Sequence, residues 1–255
     1  MLNWIIVVLF GLVWGSFLSV IKNRFDNLGT VLYTRSHCPK CKKKLGVPDL
    51  LPIVSFIILR GRCRYCKEKI SWEYPLFEIF SLALAIFVYY KFGLALASVI
   101  LFLSLSALLI CAFVDVQNQE VELPLFVFGI LTALLWALLK NGTNLDDFKN
   151  LFLAISVAVV VPLGLYLVSR EKWMGLGDSF FALWIGLLSG FPQAALAIFL
   201  AFFLGAVFGI IILVVKGKEK TRRVAFGPFM ALGGIIALGW GQQIIDFYLN
   251  FIGII

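Results

Sequence analysis

Charged side chains are scarce in this sequence. Asp, Glu, Lys and Arg make up only 14% of the 255 residues, whereas hydrophobic residues make up 62% and the mean hydropathy is +1.00. Soluble globular domains usually contain about 25% charged residues. The shortage of charge therefore excludes an ordinary soluble protein and indicates a chain that is embedded in lipid.

The sequence contains a series of long apolar runs. A helix needs about 20 mostly apolar residues to cross roughly 30 Å of hydrocarbon. We predict an all-α polytopic membrane protein with about eight transmembrane helices, and expect the short sixth run to be a partial or tilted helix, or to pair with the seventh as a hairpin. The approximate bounds are 3–21, 75–91, 93–114, 124–139, 148–168, 178–190, 193–215 and 226–248.

Basic residues are distributed unevenly between the loops. When eight spans alternate across the membrane, 19 of the 22 Lys and Arg residues fall on one side. The positive-inside rule makes that side cytosolic and puts both termini on the other side. The net charge of +8 then reflects orientation and anionic lipid, so we expect no nucleic-acid partner. The first run has no basic residue before it and no cleavage site after it, so we expect a retained anchor.

Cysteines are also few, but four of the five form two pairs in the longest polar segment, at 38–41 and 63–66. Each CxxC pair can present two thiolates from a tight turn, and two pairs complete a tetrahedral structural zinc site. The alternatives are two disulfides, which a cytosolic position disfavours, and four free thiols, which the paired spacing disfavours. The predicted zinc ligands are Cys38, Cys41, Cys63 and Cys66. This gives three parts: a first transmembrane helix (1–21), a cytosolic zinc-binding domain (22–74) and a seven-helix membrane domain (75–255).

Acidic residues number only 14, and most lie in predicted loops. A carboxylate at membrane depth is expensive and is a functional candidate. The predicted topology brings two of the exceptions, Asp115 and Asp178, to the cytosolic side together. Two neighbouring carboxylates can share one proton, which leaves one acid and one base able to activate water against a peptide carbonyl.

Simpler roles exist for both aspartates. Asp178 is placed to cap the helix that follows it, and Asp115 to mark the point where a span meets water. Gly175 and Gly177, just before Asp178, favour an active site instead, because glycines permit positive φ angles and close backbone approach. We therefore predict Asp115 and Asp178 as the catalytic pair, with Gly175 and Gly177 as active-site backbone.

Several short motifs occur in one order along the chain. They are Gly15-Ser16-Phe17-Leu18, the two CxxC pairs, Leu59-Arg60-Gly61-Arg62-Cys63, Tyr74-Pro75-Leu76-Phe77-Glu78, Gly175-Leu176-Gly177-Asp178 and Phe226-Gly227-Pro228-Phe229. Together with Asp115 they resemble the bacterial type IV prepilin leader peptidases, a branch of the GxGD-type intramembrane aspartic proteases. The resemblance covers nearly the whole chain.

This resemblance implies an inner-membrane peptidase that removes the basic leader of prepilins, or of pseudopilins of type II secretion, at the cytosolic face. It places the catalytic positions at Asp115 and Asp178. It also implies a second activity, N-methylation of the new N-terminus with S-adenosylmethionine. For Glu78 two roles stay open: a polar partner in that second activity, or a buried structural hydrogen-bonding group. The oligomeric state is left open.

The segment after Asp115 departs from the family pattern, in which a proline usually follows sooner. Here Glu120 and Glu122 precede Pro124, and no Lys or Arg lies between Asp115 and Pro124. We expect this locally negative segment to attract a basic leader. Two competing functions are a zinc-stabilised membrane scaffold of a pilus or secretion system without catalysis, and an ion-coupled transporter that uses the aspartates as a proton relay.

Overall fold

The computed structural model describes residues 1–24, 35–119, 123–141, 144–216 and 224–253. The chain divides into two compact units, Met1–Gly93 and Leu94–Ile255. The first unit contains α1 (Leu2–Asn23), a short 3-10 turn (Val47–Asp49), α2 (Val54–Ile58) and α3 (Glu73–Phe92). The second contains α4 (Leu96–Asn118), α5 (Leu123–Asn141), α6 (Leu145–Ser169), α7 (Leu176–Ser189), α8 (Gln193–Lys216) and α9 (Gly227–Phe251). The predicted helical membrane fold is confirmed, while the three-part domain division stays a prediction.

Seven of these helices are long and apolar enough to cross a membrane, counted over the described residues. Besides the five-residue α2, the exception is α7, the predicted short sixth run, which has 14 residues and is therefore about 21 Å long. A helix of that length falls short of the roughly 30 Å of hydrocarbon in a bilayer. It ends at Gly190, which has a φ of +75°, and α8 begins at Gln193. A tight turn thus separates the sixth and seventh runs.

In the first unit, α1 packs directly on α3 through two glycines. A Cβ atom at Gly15 would lie 2.6 Å from the Glu78 Cα and 2.7 Å from the Phe77 carbonyl oxygen, and one at Gly11 would lie 2.9 Å from Ala85 Cβ. Association of helices in lipid depends on such close van der Waals contact. At the polar end, the Lys22 Nζ and Glu73 Oε2 atoms form an ion pair at 2.6 Å.

In the second unit, α7 is the central helix and contacts α5, α6, α8 and α9. Its Trp184 is fully buried and donates from Nε1 to the Ser104 hydroxyl at 2.8 Å, and that hydroxyl donates to the Gly129 carbonyl at 3.0 Å. A Cβ at Gly129 would lie 1.9 Å from the Trp184 ring. This buried network fixes α7 against α4 and α5.

Helix ends differ from the predicted spans where polar residues continue a helix. The third span was predicted to end at 114, but α4 continues to Asn118, so Asp115 lies in its last turn. The fifth span was predicted to start at 148, but α6 starts at Leu145, with Asp146 and Asp147 in its first turn. Glu120 and Glu122, predicted to form a negative segment, lie outside the described residues.

Candidate active site

Asp115 is held at the end of α4 by the backbone of another helix. Its Oδ2 atom accepts a hydrogen bond of 2.8 Å from the Gly227 N–H, at the start of α9. The first N–H groups of a helix have no partner within that helix, so the Asp115 carboxylate satisfies one of them. This contact joins residues 112 positions apart and was not predicted from the sequence.

Asp178 lies in the first turn of α7, where its Oδ2 atom accepts a hydrogen bond of 3.0 Å from the Gly175 N–H. The carboxylate therefore caps α7 from inside the helix, at its third residue, with Gly175 as the N-cap, whereas the simpler role placed Asp178 before the helix. Its second oxygen is left for other contacts. The expected positive φ at these two glycines is wrong. Gly175 has an extended backbone with a φ of −83°, and Gly177, inside α7, is absent from the described glycines with positive φ.

Gly227 connects Asp115 with the first turns of α7, the helix that carries Asp178. A Cβ atom at Gly227 would lie 2.7 Å from Asp115 Oδ2 and 2.9 Å from the ring of Phe181, which is one turn after Asp178. The Asp115 charge also acts on the Asp178 carboxyl through space. The packing of α4, α7 and α9 thus brings the two predicted aspartates near enough for the charge of one to affect the other.

Two residues at this site had no role in the sequence interpretation. Gly227 belongs to the Phe226-Gly227-Pro228-Phe229 motif, so the motif was the available signal for its contact with Asp115. The Ser179 hydroxyl, next to Asp178, is buried and has no hydrogen-bond partner among the described residues. No sequence signal distinguished Ser179 from the other serines in apolar runs.

The two CxxC pairs adopt the same local conformation. In the first, the Cys38 N–H donates to the Lys43 carbonyl and the Lys42 N–H donates to the Cys38 carbonyl. In the second, the Cys63 N–H donates to the Glu68 carbonyl and the Lys67 N–H to the Cys63 carbonyl. The lysine after each pair has a left-handed backbone, with φ of 59° at Lys42 and 61° at Lys67. We call these two turns the knuckles.

The knuckles bring the four predicted ligands together. The Sγ atoms of Cys38, Cys41, Cys63 and Cys66 all lie within 4.8 Å of one another. Four thiolates bonded at about 2.3 Å in a tetrahedron are separated by about 3.8 Å, and Cys38 Sγ lies 3.8 Å from Cys66 Sγ. All four are free thiols, so the disulfide alternative is wrong. The cluster has the ligand atoms and the spacing to hold a metal ion.

Backbone groups favour the metal-binding form of one cysteine. The N–H groups of Cys66 and Tyr65 lower the pKa of the Cys63 thiol to about 7. Because metals bind the thiolate, this shift favours the metal-binding form of Cys63. The pKa of Cys66 in the same turn is raised to about 11, since the lowering by a backbone hydrogen bond at Glu68 is outweighed by burial and by hydrogen bonds with the other thiols.

Glu78 is buried, with 7% of its surface exposed, and its Oε2 atom accepts a hydrogen bond of 2.6 Å from the Ile53 N–H. The Ser16 hydroxyl also donates to this carboxylate. These hydrogen bonds are the ones expected of a buried structural group, which is one of the two roles predicted for Glu78. It also lines a cavity of 760 Å³ in the first unit, which leaves the other role open.

Comparison with known proteins gives two family matches that together cover most of the chain. Residues 9–92 match the bacterial peptidase A24 N-terminal domain, and residues 100–210 match the type IV leader peptidase family. No solved structure matches the chain.

Three similar proteins, each named prepilin leader peptidase/N-methyltransferase, come from different bacteria. The one from Pseudomonas aeruginosa is 30% identical, with 96% of this chain and 93% of that protein covered. The one from Stutzerimonas stutzeri is 33% identical, covering 85% of this chain and 75% of that protein. The one from Bacillus subtilis is 28% identical, covering 96% and 97%.

Proposed function

Because the chain belongs to the type IV leader peptidase family, we propose that it removes the leader peptide of prepilins or pseudopilins and N-methylates the new N-terminus. The observation that supports the peptidase assignment is the contact of Asp115, through Gly227, with the first turns of the helix that carries Asp178: Gly227 adjoins both Asp115 Oδ2 and the ring of Phe181, one turn after Asp178. The two carboxylates belong to different helices, α4 and α7. They are the catalytic pair of the proposal.

The proposed cleavage follows from the chemistry of a shared proton. The ionised aspartate takes a proton from water as the water oxygen attacks the scissile carbonyl carbon. The protonated aspartate donates its proton to the carbonyl oxygen, which gives a gem-diol. As the C–N bond breaks, the other aspartate passes the proton taken from water to the leaving amine, and one gem-diol hydroxyl returns its proton to the first aspartate as the carbonyl re-forms. Gly227 and Gly175 hold one oxygen of each carboxylate by backbone N–H groups, which leaves the other oxygen of each for the proposed proton transfers.

The peptidase site is assigned to the cytosolic face of the bacterial inner membrane. The support is the distribution of Lys and Arg residues over the loops, since cytosolic loops are enriched in positive charge. In this orientation the substrate leader, which is basic, stays on the cytosolic side, and both termini of this chain lie on the opposite side.

Zinc is the metal that best fits the cysteine cluster. A set of four thiolates in a closed tetrahedral arrangement is typical of structural zinc. Cys38, Cys41, Cys63 and Cys66 would hold the ion and use all of its coordination positions. Its role in this proposal is to keep the segment between α1 and α3 folded.

S-adenosylmethionine is the methyl donor that the proposed second activity requires, and it supplies an electrophilic methyl group when bound. The cavity of 760 Å³ in the first unit is within the usual size of about 300–1,000 Å³ for a small-molecule site. Its lining combines aromatic rings, hydroxyls and the Glu78 carboxylate, which suit a polar nucleoside. The residues present therefore fit the donor.

The wild-type protein tests this function directly. Purified protein in detergent is incubated with a prepilin, with and without S-adenosylmethionine, and the products are weighed by mass spectrometry. We expect loss of the leader in both samples and a further gain of one methyl group only when the donor is present. An uncleaved prepilin in both samples would contradict the peptidase assignment.

Replacement of Gly227 by alanine tests the close packing of Gly227 against Asp115, one residue of the proposed catalytic pair. The added Cβ would lie 2.7 Å from Asp115 Oδ2 and 2.9 Å from the Phe181 ring, so the carboxylate has to move. Overpacking of this kind costs about 1–3 kcal/mol. We expect Gly227→Ala to lower the cleavage rate at least about tenfold, since each 1.36 kcal/mol in the barrier is about a factor of ten.

Gly209→Ala, in the same unit, is the control for Gly227→Ala. Gly209→Ala adds the same methyl group where no heavy atom lies within 4 Å, and we expect wild-type cleavage from it. Thermal unfolding of both variants is measured in parallel, so that loss of activity is compared at equal folded fraction. Equal cleavage rates in the two variants would remove the positioning role of Gly227.

A further inference from the structure

The second unit has a recess of 310 Å³ at the end of α7 that is opposite to Asp178. It is lined by the last turn of α5, the first turns of α6, the end of α7 and the start of α8. The Leu188 carbonyl of α7 accepts a hydrogen bond of 3.3 Å from Trp136 Nε1, and Trp136 lies five residues before the end of α5. Five helical residues rise by about 8 Å, so α5 extends about 8 Å beyond this contact.

The floor of the recess is a turn whose backbone is satisfied by one side chain. Asn150 of α6 accepts a hydrogen bond of 3.1 Å from the Phe191 N–H and donates to the Phe191 carbonyl at 3.1 Å. Asn150 lies five residues after the start of α6, so α6 also extends about 8 Å beyond the turn. Irregular backbone at such a depth in a bilayer occurs where it is buried in protein or lines a polar cavity. The recess is therefore a polar depression between the ends of α5 and α6.

A buried hydroxyl in the recess has no partner. Ser189 is the last residue of α7, lines the recess and is 5% exposed. Its Oγ atom makes no hydrogen bond with any residue that the structure describes. A buried polar atom without a partner is costly, and a ligand in the recess would supply one. The Ser189 hydroxyl therefore indicates a polar ligand.

The charged side chains of the recess indicate the kind of ligand. Lys140, Asp146 and Asp147 line it, and Asp146 is paired with Lys149 at 2.9 Å. One cation and one anion, Lys140 and Asp147, are then left. Lys140 Nζ lies 5.8 Å from the centre of the Trp136 ring, and no carboxylate oxygen of the described part of the chain lies within 4.0 Å of it. These two charges fit a zwitterion, which carries one anionic and one cationic group.

Exposed apolar side chains occur on the same ends of α5 and α6. Leu139, next to Lys140, and Phe148, next to Asp147, are each 48% exposed, and Phe152 is 73% exposed. In a chain that is embedded in lipid, such side chains face acyl chains. A zwitterion that carries acyl chains can therefore bind the recess and this apolar surface together.

We propose that the recess binds the phosphoethanolamine headgroup of a membrane phospholipid. The Lys140 ammonium group and the Ser189 hydroxyl donate to its phosphate oxygens. Asp147 Oδ2 accepts a hydrogen bond of 3.3 Å from the Asn144 N–H, and its Oδ1 atom accepts one from the primary ammonium group of the lipid. In the orientation proposed above, this lipid belongs to the non-cytosolic leaflet. It connects the ends of α5 and α6 beyond α7, the helix that carries Asp178.

Phospholipids with identical acyl chains and different headgroups test the chemistry. Purified protein in detergent is titrated with phosphatidylethanolamine, phosphatidylcholine or phosphatidylglycerol, and bound lipid is measured by native mass spectrometry. We expect the Kd of phosphatidylethanolamine to be about tenfold lower than the others, the factor for one hydrogen bond to a charged group. The choline group has no N–H to donate, and phosphatidylglycerol has no cation. Equal Kd values for the three lipids would overturn the proposal.

Lys140→Gln removes the cation from the recess. We expect it to raise the Kd of phosphatidylethanolamine about tenfold, by the loss of one charge-assisted hydrogen bond. Lys172→Gln is the matched control, because Lys172 is an exposed residue in the turn before α7 and does not line the recess. Its Kd should equal that of the wild type. Equal Kd values for the two variants would contradict the proposed site.

Ser189→Ala tests the buried hydroxyl by thermal unfolding with and without phosphatidylethanolamine. Removal of an unpaired buried hydroxyl is neutral or stabilising, so the Tm without lipid should equal or exceed that of the wild type. A ligand stabilises the state that it binds, and we expect the lipid to raise the Tm of the variant less than that of the wild type. An equal rise in both proteins would contradict the contact between Ser189 and the lipid.

Soluble ligands distinguish a lipid from other occupants of the recess. O-phosphoethanolamine and magnesium chloride, each added without lipid, should leave the Tm unchanged. A rise with O-phosphoethanolamine equal to the rise with phosphatidylethanolamine would show that the acyl chains contribute nothing. A rise with magnesium chloride that is lost in Asp147→Asn would show a cation site. Either result would overturn the lipid proposal.

Discussion

Replacement of Asp115 or Asp178 by asparagine is expected to lower the rate of leader cleavage by at least about 10²-fold, because each variant loses a general acid or base. Asparagine has nearly the same shape, and its carbonyl oxygen can still accept the hydrogen bond from Gly227 or Gly175. The fold should therefore persist while the shared proton is lost. Cleavage of a prepilin by each purified variant is followed by mass spectrometry over time.

Asp246→Asn is the control for this experiment. Asp246 is on α9 in the same unit, where its Oδ1 atom accepts a hydrogen bond of 2.8 Å from Gln242, and we expect wild-type cleavage from that variant. A non-catalytic scaffold, in which Asp178 only caps α7, would tolerate both substitutions at the dyad. Unchanged cleavage by Asp115→Asn or Asp178→Asn would therefore reject the proposed dyad.

Replacement of Cys63 by serine is expected to abolish stoichiometric zinc binding. Structural zinc contributes about 10–16 kcal/mol of apparent binding free energy in small zinc-binding domains, and most of it depends on a complete ligand set. Cys38 and Cys63 also line the cavity of the first unit, so loss of zinc should reduce methyl transfer more than leader cleavage. Elemental analysis of the purified membrane protein measures zinc per chain, and the two activities are assayed on the same sample.

Cys111→Ser provides the same chemical change outside the cluster. Cys111 is buried in α4, and the variant should keep one zinc per chain. If Cys63→Ser retained wild-type zinc content, the four cysteines would not be the metal ligands. If the wild-type protein contained no zinc and bound none when it was added, the zinc proposal itself would be wrong.

Hydropathy predicted the membrane helices well but misplaced some of their ends. An apolar run reports the part of a helix that suits lipid, whereas a helix continues for as long as its backbone hydrogen bonds do. The third predicted span therefore stopped at 114, although α4 carries Asp115 and continues to Asn118. The short α7 was recognised because its length is itself a sequence property.

The site was predicted in composition but not in its contacts. Alternation of spans predicts Asp115 and Asp178 on one side, and the repeated CxxC spacing was enough to group four cysteines. The hydrogen bonds from Gly227 to Asp115 and from Ile53 to Glu78 join distant parts of the chain, and no local pattern encodes such pairs. The glycines before Asp178 were interpreted by their known freedom in φ, but Gly175 is extended.

The left-handed lysines of the two knuckles make folding of the segment between α1 and α3 costly. A left-handed conformation costs about 1–2 kcal/mol for a residue other than glycine, and the folded loop contains it at both Lys42 and Lys67. Without a bound ion the metal–thiolate bonds that offset this penalty are missing, so we expect the metal-free segment to be less stable than the metal-bound one. Under the zinc proposal, the supply of the ion in the cell would then influence how much of the protein has this segment folded.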